Sequence, residues 1–564
     1  MTGLPKSLSR TDSPSDKATG MKGMATRLRH VVSNHADACA TVALVALALL
    51  VLHPTLATEL ILVDDHELIH FAFPTSVHPQ VMEAPSSVPD IILHEFQDVG
   101  RFRPLYYLIR LGLVRVFGAN PLAWHAYVLF LGVFTTILLY HTGRSIRVAP
   151  PVAFAFAALF LYAPSAAYTW IRIGPGETVG TFLTGLALFA VAQSATQDKP
   201  GQFDLLLIIS TSAAALTKES FILILPAILY ARIALRSIIQ RQSWRQSISA
   251  NLGAPVALSL VFIFGLIILA LAAKTGGASS YGGRSLALNV DYFVEFGKSL
   301  LNAIWEGGLF GAVVLFFIAA WRSRTLYGER EGILHCAIFC SLWIVPQLLL
   351  YSTRGGISAF YWMPAAIGLA AANAAALLGL YRRRSWLYVV GLIWLVAWLA
   401  LAGAQVYARA SKTQADSVAL NRMLDYLAAN VGAGKTIVIA ADPIENFEST
   451  ISLVYHVGYR NRNDIPIALL STRTTTPRNP FESNLIATLE TAFSQHNALD
   501  VLPEQIDAVI LFAPISSLPE AWYAKIKPSA QLILFSETAF SPGINSTGAH
   551  LFSPLSYAIL RVQH

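Results

Sequence analysis

The feature that most constrains this fold is a series of apolar runs, each close to the length that spans a membrane. A transmembrane helix needs about 20 predominantly apolar residues. Eleven runs meet or approach this length, two of them being short, and each is predicted to be a membrane helix. The runs cover residues 39–63, 122–140, 151–171, 178–196, 203–217, 221–235, 250–273, 300–321, 332–351, 360–380 and 386–406.

Composition excludes a soluble protein of this length. Charged residues make up 13% and hydrophobic residues 55% of the 564 residues, whereas an ordinary soluble domain carries about 25% charge. So few charges cannot cover a surface of this size in water, and most of the chain must face lipid or other apolar helices. The formal net charge of +7 therefore informs membrane orientation, and no nucleic-acid partner is expected.

Positive charge predicts the orientation, because cytoplasmic connections carry an excess of Lys and Arg. One set of alternate connections, with the N-terminal tail 1–38, is rich in these residues, and the opposite set is longer but holds fewer. We expect a disordered cytoplasmic tail, and eleven crossings then place the C-terminus outside the plasma (inner) membrane. The basic residues of the inner connections are Arg144, Arg147, Lys199, Arg232, Arg236, Arg241, Arg245, Arg322, Arg324, Arg330, Arg382, Arg383 and Arg384.

The composition becomes that of a soluble protein after about residue 407. Four short buried-strand patterns occur together with two amphipathic stretches. This arrangement predicts a polytopic α-helical membrane protein (39–406) with a small extracytoplasmic α/β domain (407–564). The strand patterns begin at Thr436, Ile465, Asp507 and Gln531, and the amphipathic stretches cover 417–430 and 482–496.

Ionisable residues are costly in a membrane protein, so their positions indicate function. Asp64 and Asp65 directly follow the first apolar run and open an outer loop, 64–103. Two adjacent acids repel each other unless a cation, a metal ion or a substrate proton compensates. The pair therefore suits a general base or a divalent-cation site. The alternative is an acidic helix end that water solvates.

More ionisable and aromatic residues occur in the predicted outer connections. Singly, each has an ordinary explanation, because basic residues extend to the membrane surface and aromatic residues line it. Acids and several cations on one face of the membrane together predict a pocket for an anionic substrate with a base beside it. These residues are Arg101, Arg103, Arg172, Glu177, Lys218, Glu219, Arg354 and Tyr361.

The order of these motifs resembles the C-type (GT-C) superfamily of integral-membrane glycosyltransferases, which take sugar from a polyprenyl-phosphate carrier. The resemblance covers about 39–406. After the acidic pair come Arg-Phe-Arg-Pro-Leu-Tyr-Tyr-Leu from Arg101, Arg-x-Gly-x-x-Glu from Arg172, Thr-Lys-Glu-Ser from Thr217 and an Arg-bearing loop that runs into Tyr-x-x-Pro from Tyr361.

The resemblance implies a role for several of these residues. Asp64 or Asp65 would activate the acceptor hydroxyl, Glu177 would be a second acid, and Lys218 and Arg354 would hold the lipid phosphate. The remaining outer residues would contribute to substrate binding. The expected reaction moves a hexose or pentose from a polyprenyl-phosphate-linked donor to a glycan, lipid or protein acceptor of the cell envelope, with inversion. A divalent cation at the acidic pair is left open.

Two other functions are compatible with the same residues. A transporter or flippase for an anionic lipid or solute would bind the same headgroup without chemistry, and a non-catalytic scaffold would use the outer domain to recruit partners. Transporters usually place ionisable groups near the bilayer midplane on broken helices. In this chain such residues lie at loop edges instead, which favours the enzyme; they are Lys218, Glu219, Arg172 and Arg354. The enzyme requires the first-loop acids to face the same cavity as Lys218 and Arg354.

Overall fold

The structure is a computed structural model. It describes residues 35–62, 65–72, 87–198, 201–275, 290–323, 330–352, 359–472, 477, 480–493, 497–512, 515–535 and 557–563. Helices dominate the chain up to residue 430. Their bounds are α1 (His35–Ala57), α2 (Asp65–Ala72), α3 (Val88–His94), α4 (Pro104–Phe117), α5 (Pro121–Ser145), α6 (Pro150–Leu161), α7 (Ala166–Thr169), α8 (Glu177–Thr196), α9 (Gly201–Ala215), α10 (Leu225–Gln240), α11 (Trp244–Ser249), α12 (Gly253–Thr275), α13 (Val290–Glu306), α14 (Gly311–Ser323), α15 (Arg330–Ser352), α16 (Met363–Arg382) and α17 (Leu387–Asn430).

Among the described helices, eight are long and apolar enough to cross a membrane, or nine if the bent pair α13 and α14 is one span. Two further helices, α6 and α9, are apolar but shorter. Together these helices account for the apolar runs of the sequence, so the prediction of a polytopic α-helical membrane protein is confirmed. Their outer faces carry exposed apolar side chains such as Leu260, Phe264 and Ile393, which suits contact with lipid.

The run predicted as one helix over 300–321 is interrupted. Helices α13 and α14 meet at an angle of 75°, and the turn between them contains Gly307 and Gly308. Gly308 has a φ of +61°, a conformation that glycine adopts without the steric cost that a Cβ brings. The hydrophobicity of the run does not reveal this bend, because both arms are apolar.

Arginine–aspartate pairs tie the helices together on the predicted cytoplasmic side. Arg232 of α10 is fully buried and its Nη2 lies 2.8 Å from Asp204 Oδ2 of α9. Asn251 Nδ2 donates to the same carboxylate at 2.6 Å. Arg144 of α5 pairs with Asp37 of α1 at 2.6 Å. Removing one member of the buried Arg232–Asp204 pair would leave a buried charge without compensation, which costs about 3–5 kcal/mol.

The C-terminal part contains a five-stranded sheet with the order β2-β1-β3-β5-β4. The first three strands are parallel, and β5 runs antiparallel to both of its neighbours. The four predicted strands are present, and the sequence analysis missed β5 and the helices α18 and α20. The bounds are β1 (Thr436–Ala441), α18 (Phe447–Tyr459), β2 (Ile467–Ser471), α19 (Pro480–Ala492), β3 (Ile506–Leu511), α20 (Glu520–Ile526), β4 (Ala530–Leu534) and β5 (Ala558–Val562).

Helix α17 joins the two parts of the molecule. It is continuous for 44 residues, about 66 Å, so the change in composition at residue 407 lies inside a helix and does not mark a linker. Leu395 and Val406 pack in the membrane core, whereas Leu420 and Leu427 pack against the sheet. Residues 407–430 contain no Gly and no Pro, so the helix continues beyond the apolar segment into the sheet domain.

Candidate functional site

The first outer loop returns to helical structure at Asp65. Asp65 is the first residue of α2, and its side chain is only 1% exposed. Its Oδ2 accepts a hydrogen bond from the backbone N–H of Ile61 at 2.8 Å. Asp65 therefore holds the backbone that precedes it in place. Asp64, the other acid of the predicted pair, lies outside the described residues.

Helix α4 connects this loop to the segment before α8. The Tyr106 hydroxyl lies 2.8 Å from the carbonyl oxygen of Gly174 and 3.3 Å from Glu67 Oε2 on α2. Arg110, one helical turn further along, donates from Nη1 to the Tyr106 hydroxyl at 2.9 Å. Its Nε lies 3.3 Å from Glu67 Oε2. Three segments that are distant in sequence therefore meet at one pair of side chains.

Glu177 and Lys218 form a buried ion pair at the same end of the helices. The carboxylate begins α8, and the ammonium lies between α9 and α10, outside both helices. The Lys218 Nζ also lies 4.1 Å from the centre of the Tyr361 ring, a cation–π contact. The Tyr351 ring stacks on Tyr361 with 5.4 Å between the ring centres.

Burial changes the protonation of Lys218. Desolvation lowers the pKa of its ammonium from the ordinary value to about 8, against the opposing effect of Glu177. Arg103 lowers this pKa further, whereas Glu219 raises it, so both groups lie within electrostatic reach. The two carboxylate neighbours therefore favour the charged form of Lys218 against the effect of burial.

Arg103 and Glu219 complete the cluster. Arg103 directly precedes α4, and its Nη2 lies 3.4 Å from Glu95 Oε2. Its guanidinium carbon is 5.8 Å from the centre of the Tyr106 ring. Glu219 is 3% exposed and acts on the charge of Arg103 as well as on Lys218. Acidic and basic side chains alternate in this cluster, which suits a site for a charged ligand.

The structure brings most of the predicted residues to one region. Arg103, Glu177, Lys218, Glu219 and Tyr361 form a cluster, and Asp65 is joined to it through α2 and α4. Two other predicted residues lie in the flanking segments. They are Arg101, whose backbone N–H donates to the Glu95 carbonyl oxygen at 2.8 Å, and Arg172, which is 9% exposed in the segment before α8.

Two predictions, a second phosphate ligand and a metal site, find no counterpart among the described residues. Arg354, like Asp64, lies outside the part of the chain that the structure describes. Within the described part, no group of three or more His, Cys, Asp or Glu side chains could hold a metal ion. Asp65 Oδ2 accepts a hydrogen bond from the Ile61 N–H, and a divalent cation at the acidic pair stays a prediction.

Sequence analysis missed Glu67, Tyr106 and Arg110 as parts of the site. The available signal was the spacing of Tyr106 and Arg110, because residues four apart share one face of a helix. Pro104 at the first helical position indicated where that helix begins. Tyr106 and Arg110 both donate hydrogen bonds to the backbone carbonyl oxygen of Gly174. A contact with a backbone atom carries no sequence signal.

The fold and the site together define a polytopic α-helical membrane protein with a C-terminal α/β domain and a buried cluster of acids and bases at one end of its helices. No protein-family model matches the chain, and no curated protein matches its sequence. The chain is similar to solved structures at low sequence identity.

ArnT from Cupriavidus metallidurans is similar in its apo state (TM-score 0.47, 11% identity) and bound to undecaprenyl phosphate (TM-score 0.47, 10% identity), over 92% of this chain and 97% of ArnT in both cases. The archaeal oligosaccharyltransferase AglB from Archaeoglobus fulgidus, in complex with an inhibitory peptide and a dolichol-phosphate, is similar over 84% of this chain and 69% of AglB (TM-score 0.44, 11% identity). Similarity at this level does not establish a function for this chain.

Proposed function

We propose that the protein transfers a sugar from a polyprenyl-phosphate carrier to an acceptor hydroxyl at the outer face of the membrane. The observation that carries this proposal is the buried Lys218 ammonium, which contacts Glu177 and Tyr361 in a cluster joined to the first outer loop. A cation at the membrane surface suits a phosphate whose hydrocarbon tail stays in lipid.

Lys218 has enough hydrogen-bonding capacity for this role. An ammonium group has three donors, so Lys218 can keep its contact with Glu177 and donate to a phosphate oxygen at the same time. The Tyr361 ring covers another side of the ammonium. Arg354 is the second proposed phosphate ligand, from the motif order of the sequence. Arg101, Arg103, Arg172 and Glu219 are proposed to contribute to the same substrate-binding region.

The proposed reaction is a direct displacement. The acceptor oxygen attacks the anomeric carbon as the bond from that carbon to the phosphate oxygen breaks. A carboxylate accepts the hydroxyl proton, and polyprenyl phosphate leaves with the bonding electron pair. Positive groups stabilise the charge that develops on the leaving phosphate. A single displacement inverts the configuration at the anomeric carbon.

The two first-loop acids have different roles in this proposal. Sequence alone slightly favours Asp65 as the base, because it lies one residue farther from the apolar helix end. The burial of Asp65 and its hydrogen bond with Ile61 support an orienting role for it instead. We therefore assign the base to Asp64, with Glu177 as the second acid that sets the charge of Lys218.

One observation favours transport as a second candidate function. Glu306 is buried at the 75° break between α13 and α14, where its Oε2 accepts a hydrogen bond from the Ser165 N–H at 3.0 Å. An acid at a broken helix is a common arrangement in transporters. A transporter would move a lipid-linked substrate across the membrane and leave its glycosidic bond intact.

A chemical assay separates the two functions. The purified protein is incubated with a panel of radiolabelled polyprenyl-phosphate sugars and a membrane-extract acceptor pool, and the products are identified. Wild type should release polyprenyl phosphate and form an inverted glycoside. Asp64→Asn should reduce turnover about 100- to 10,000-fold while the donor still binds.

The matched control is Asp500→Asn, because Asp500 is an exposed acid of the C-terminal domain, and it should keep normal turnover. If no donor of the panel is cleaved, the glycosyltransferase proposal fails. Movement of intact donor across vesicles in the same preparation would establish transport. Full turnover in both Asp64→Asn and Asp65→Asn would move the base to Glu177 or Glu219.

A further inference from the structure

A short segment before the acidic pair is held by the C-terminal part of the chain. We call this segment, Glu59–Leu62, the strap. Four polar side chains from α17 and α18 contact the backbone of its four consecutive residues. Ser417 Oγ accepts from the N–H of Glu59 (3.0 Å), Asn421 Nδ2 donates to the carbonyl oxygen of Leu60 (3.3 Å), His456 Nε2 to that of Ile61 (3.1 Å), and Ser452 Oγ to that of Leu62.

These contacts are inside the protein. Ser417 and Ser452 are fully buried, and His456 is 1% exposed. A buried polar group that loses its partner is destabilising, so the strap cannot leave this position without leaving several polar groups unpaired or exposed. Burial lowers the pKa of His456 to about 3. The imidazole is therefore neutral near pH 7, with its Nε2–H directed to the Ile61 carbonyl oxygen.

Ile61 links the strap contacts to the acidic pair. Its carbonyl oxygen accepts from His456, and its N–H donates to Asp65 Oδ2 at 2.8 Å. A displacement of Ile61 therefore changes the position of the Asp65 carboxylate directly. Asp64, the proposed base, directly precedes Asp65 in the chain, so its place also depends on the position of α2.

We propose that Asn421, Ser452 and His456 are positioning residues, through which the C-terminal domain fixes the first-loop acids for sugar transfer. This inference rests on the proposed function and gives the C-terminal domain a role in the reaction. The three residues act through the strap, and none of them needs to touch substrate. Their hydrogen bonds are to backbone atoms, so they fix the path of the chain whatever the strap side chains are.

Contacts on either side of the strap point to the same role. The Leu62 side chain belongs to the apolar core that α17 and α18 form with the sheet. The Tyr455 ring lies 5.6 Å from the His66 ring and 5.8 Å from the His70 ring, both on α2. Helix α18 therefore contacts the chain both before and after the acidic pair.

The C-terminal domain has apolar packing of its own besides the strap hydrogen bonds. Its sheet has apolar side chains packed on both faces, and α17 anchors it to the membrane helices. Loss of one strap hydrogen bond should therefore leave the domain folded and loosen the strap. This separates a positioning role from a structural one.

The test uses the full-length protein and two measurements. Hydrogen–deuterium exchange reports the protection of the strap amides, and steady-state kinetics with the cleaved donor reports kcat and KM separately. In Ser452→Ala we expect faster exchange over Glu59–Leu62. We also expect a kcat about 10- to 100-fold lower with unchanged KM for the donor, because small misplacements of a reacting group cost this much.

Two control variants sharpen the result. Ser449→Ala replaces another buried serine of α18, one turn away from Ser452, and should alter neither exchange nor kcat. His456→Leu should behave like Ser452→Ala, whereas His456→Gln, which retains an N–H donor, should recover part of the kcat. A structural role alone would lower the melting temperature and the amount of active protein without this rescue.

The outcomes are distinct. Unchanged strap exchange in both Ser452→Ala and His456→Leu overturns the inference, as does faster exchange with a normal kcat. If wild type cleaves no lipid-linked sugar, the proposed function fails and positioning for that reaction fails with it. Hydrogen–deuterium exchange then reports only whether the C-terminal domain holds the strap. Faster exchange with reduced kcat, absent in Ser449→Ala, supports the inference.

Discussion

Lys218 combines burial with a charge that the proposed substrate requires. Its ammonium is charged below its pKa, which burial lowers to about 8, and neutral above it. Neighbouring Glu177 opposes this shift, whereas Arg103 contributes to it. The affinity for an anionic lipid should therefore depend on pH in the range where an exposed lysine would remain fully charged.

We predict that binding of polyprenyl phosphate weakens at least about tenfold as the pH rises from about 7.5 through 8 towards 10, because a charge-assisted hydrogen bond is lost. The phosphate is already fully ionised above pH 7.5 or so. Lys218→Arg should abolish this pH dependence, because arginine stays protonated. Titration with radiolabelled lipid at a series of pH values measures the effect. Equal pH profiles in wild type and Lys218→Arg would contradict it.

At the scale of residues, the sequence predicted which residues belong to the site better than it predicted their contacts. Glu177, Lys218 and Tyr361 were selected because ionisable and aromatic residues at predicted helix ends are informative. Their mutual contact depends on how α8, α9 and α16 pack, which hydrophobic periodicity does not encode. The same holds for Tyr106, whose partner is a backbone carbonyl group.

At the scale of elements, the close packing of α8 controls the position of the Lys218 segment. A Cβ built at Gly180 of α8 would overlap the Phe221 ring, and Phe221 is fully buried. Phe221 follows Lys218, Glu219 and Ser220 directly in the chain. The absence of a side chain at Gly180 therefore lets this segment lie against α8, where Lys218 reaches Glu177.

Gly180→Ala should lower the stability of the protein by about 1–3 kcal/mol through overpacking and should weaken donor binding by shifting Lys218. The melting temperature of the purified protein in detergent and a lipid-binding titration measure the two effects. The matched control is Gly112→Ala in α4, where an added Cβ has no atom within 4 Å. That change should leave stability equal or up to about 1 kcal/mol higher, because alanine favours helix. An unchanged melting temperature in Gly180→Ala would refute this packing argument.

Among the elements, sequence predicted the apolar helices and missed the bend and α18. Eight long spans have a strong signal, because lipid requires continuous apolar helices. The bend between α13 and α14 is hidden because its two arms are equally apolar. Helix α18 was missed because its 13 residues are buried on several sides and lack a clear polar face.

At the scale of the whole molecule, the charge asymmetry of the connections predicts the orientation. Some of the counted arginines, such as Arg232 and Arg144, are in ion pairs with Asp204 and Asp37. They therefore stabilise the helix ends as well as contributing to the positive-inside bias. The proposal remains an inner N-terminus, an outer C-terminal domain and a site at the outer surface.

Reporter fusions test this orientation. A reporter that is active only in the cytoplasm should give a signal when fused at residue 20 and none when fused after His564, because the proposed number of crossings is odd. A fusion in the connection between α16 and α17, which contains Arg383 and Arg384, should give the cytoplasmic signal and is the internal control. Equal signals at the two termini would rule out an odd number of crossings.

The sequence alone determined that this chain is a membrane protein with an α/β domain at its C-terminal end, because lipid and water each demand a composition that local sequence displays. It also located the residues whose charge is costly. Only the tertiary structure decided that Lys218 contacts Glu177, that α17 is continuous, and that α18 holds the strap. Those contacts join segments up to hundreds of residues apart through backbone atoms and packed surfaces, and such pairings have no local sequence signature.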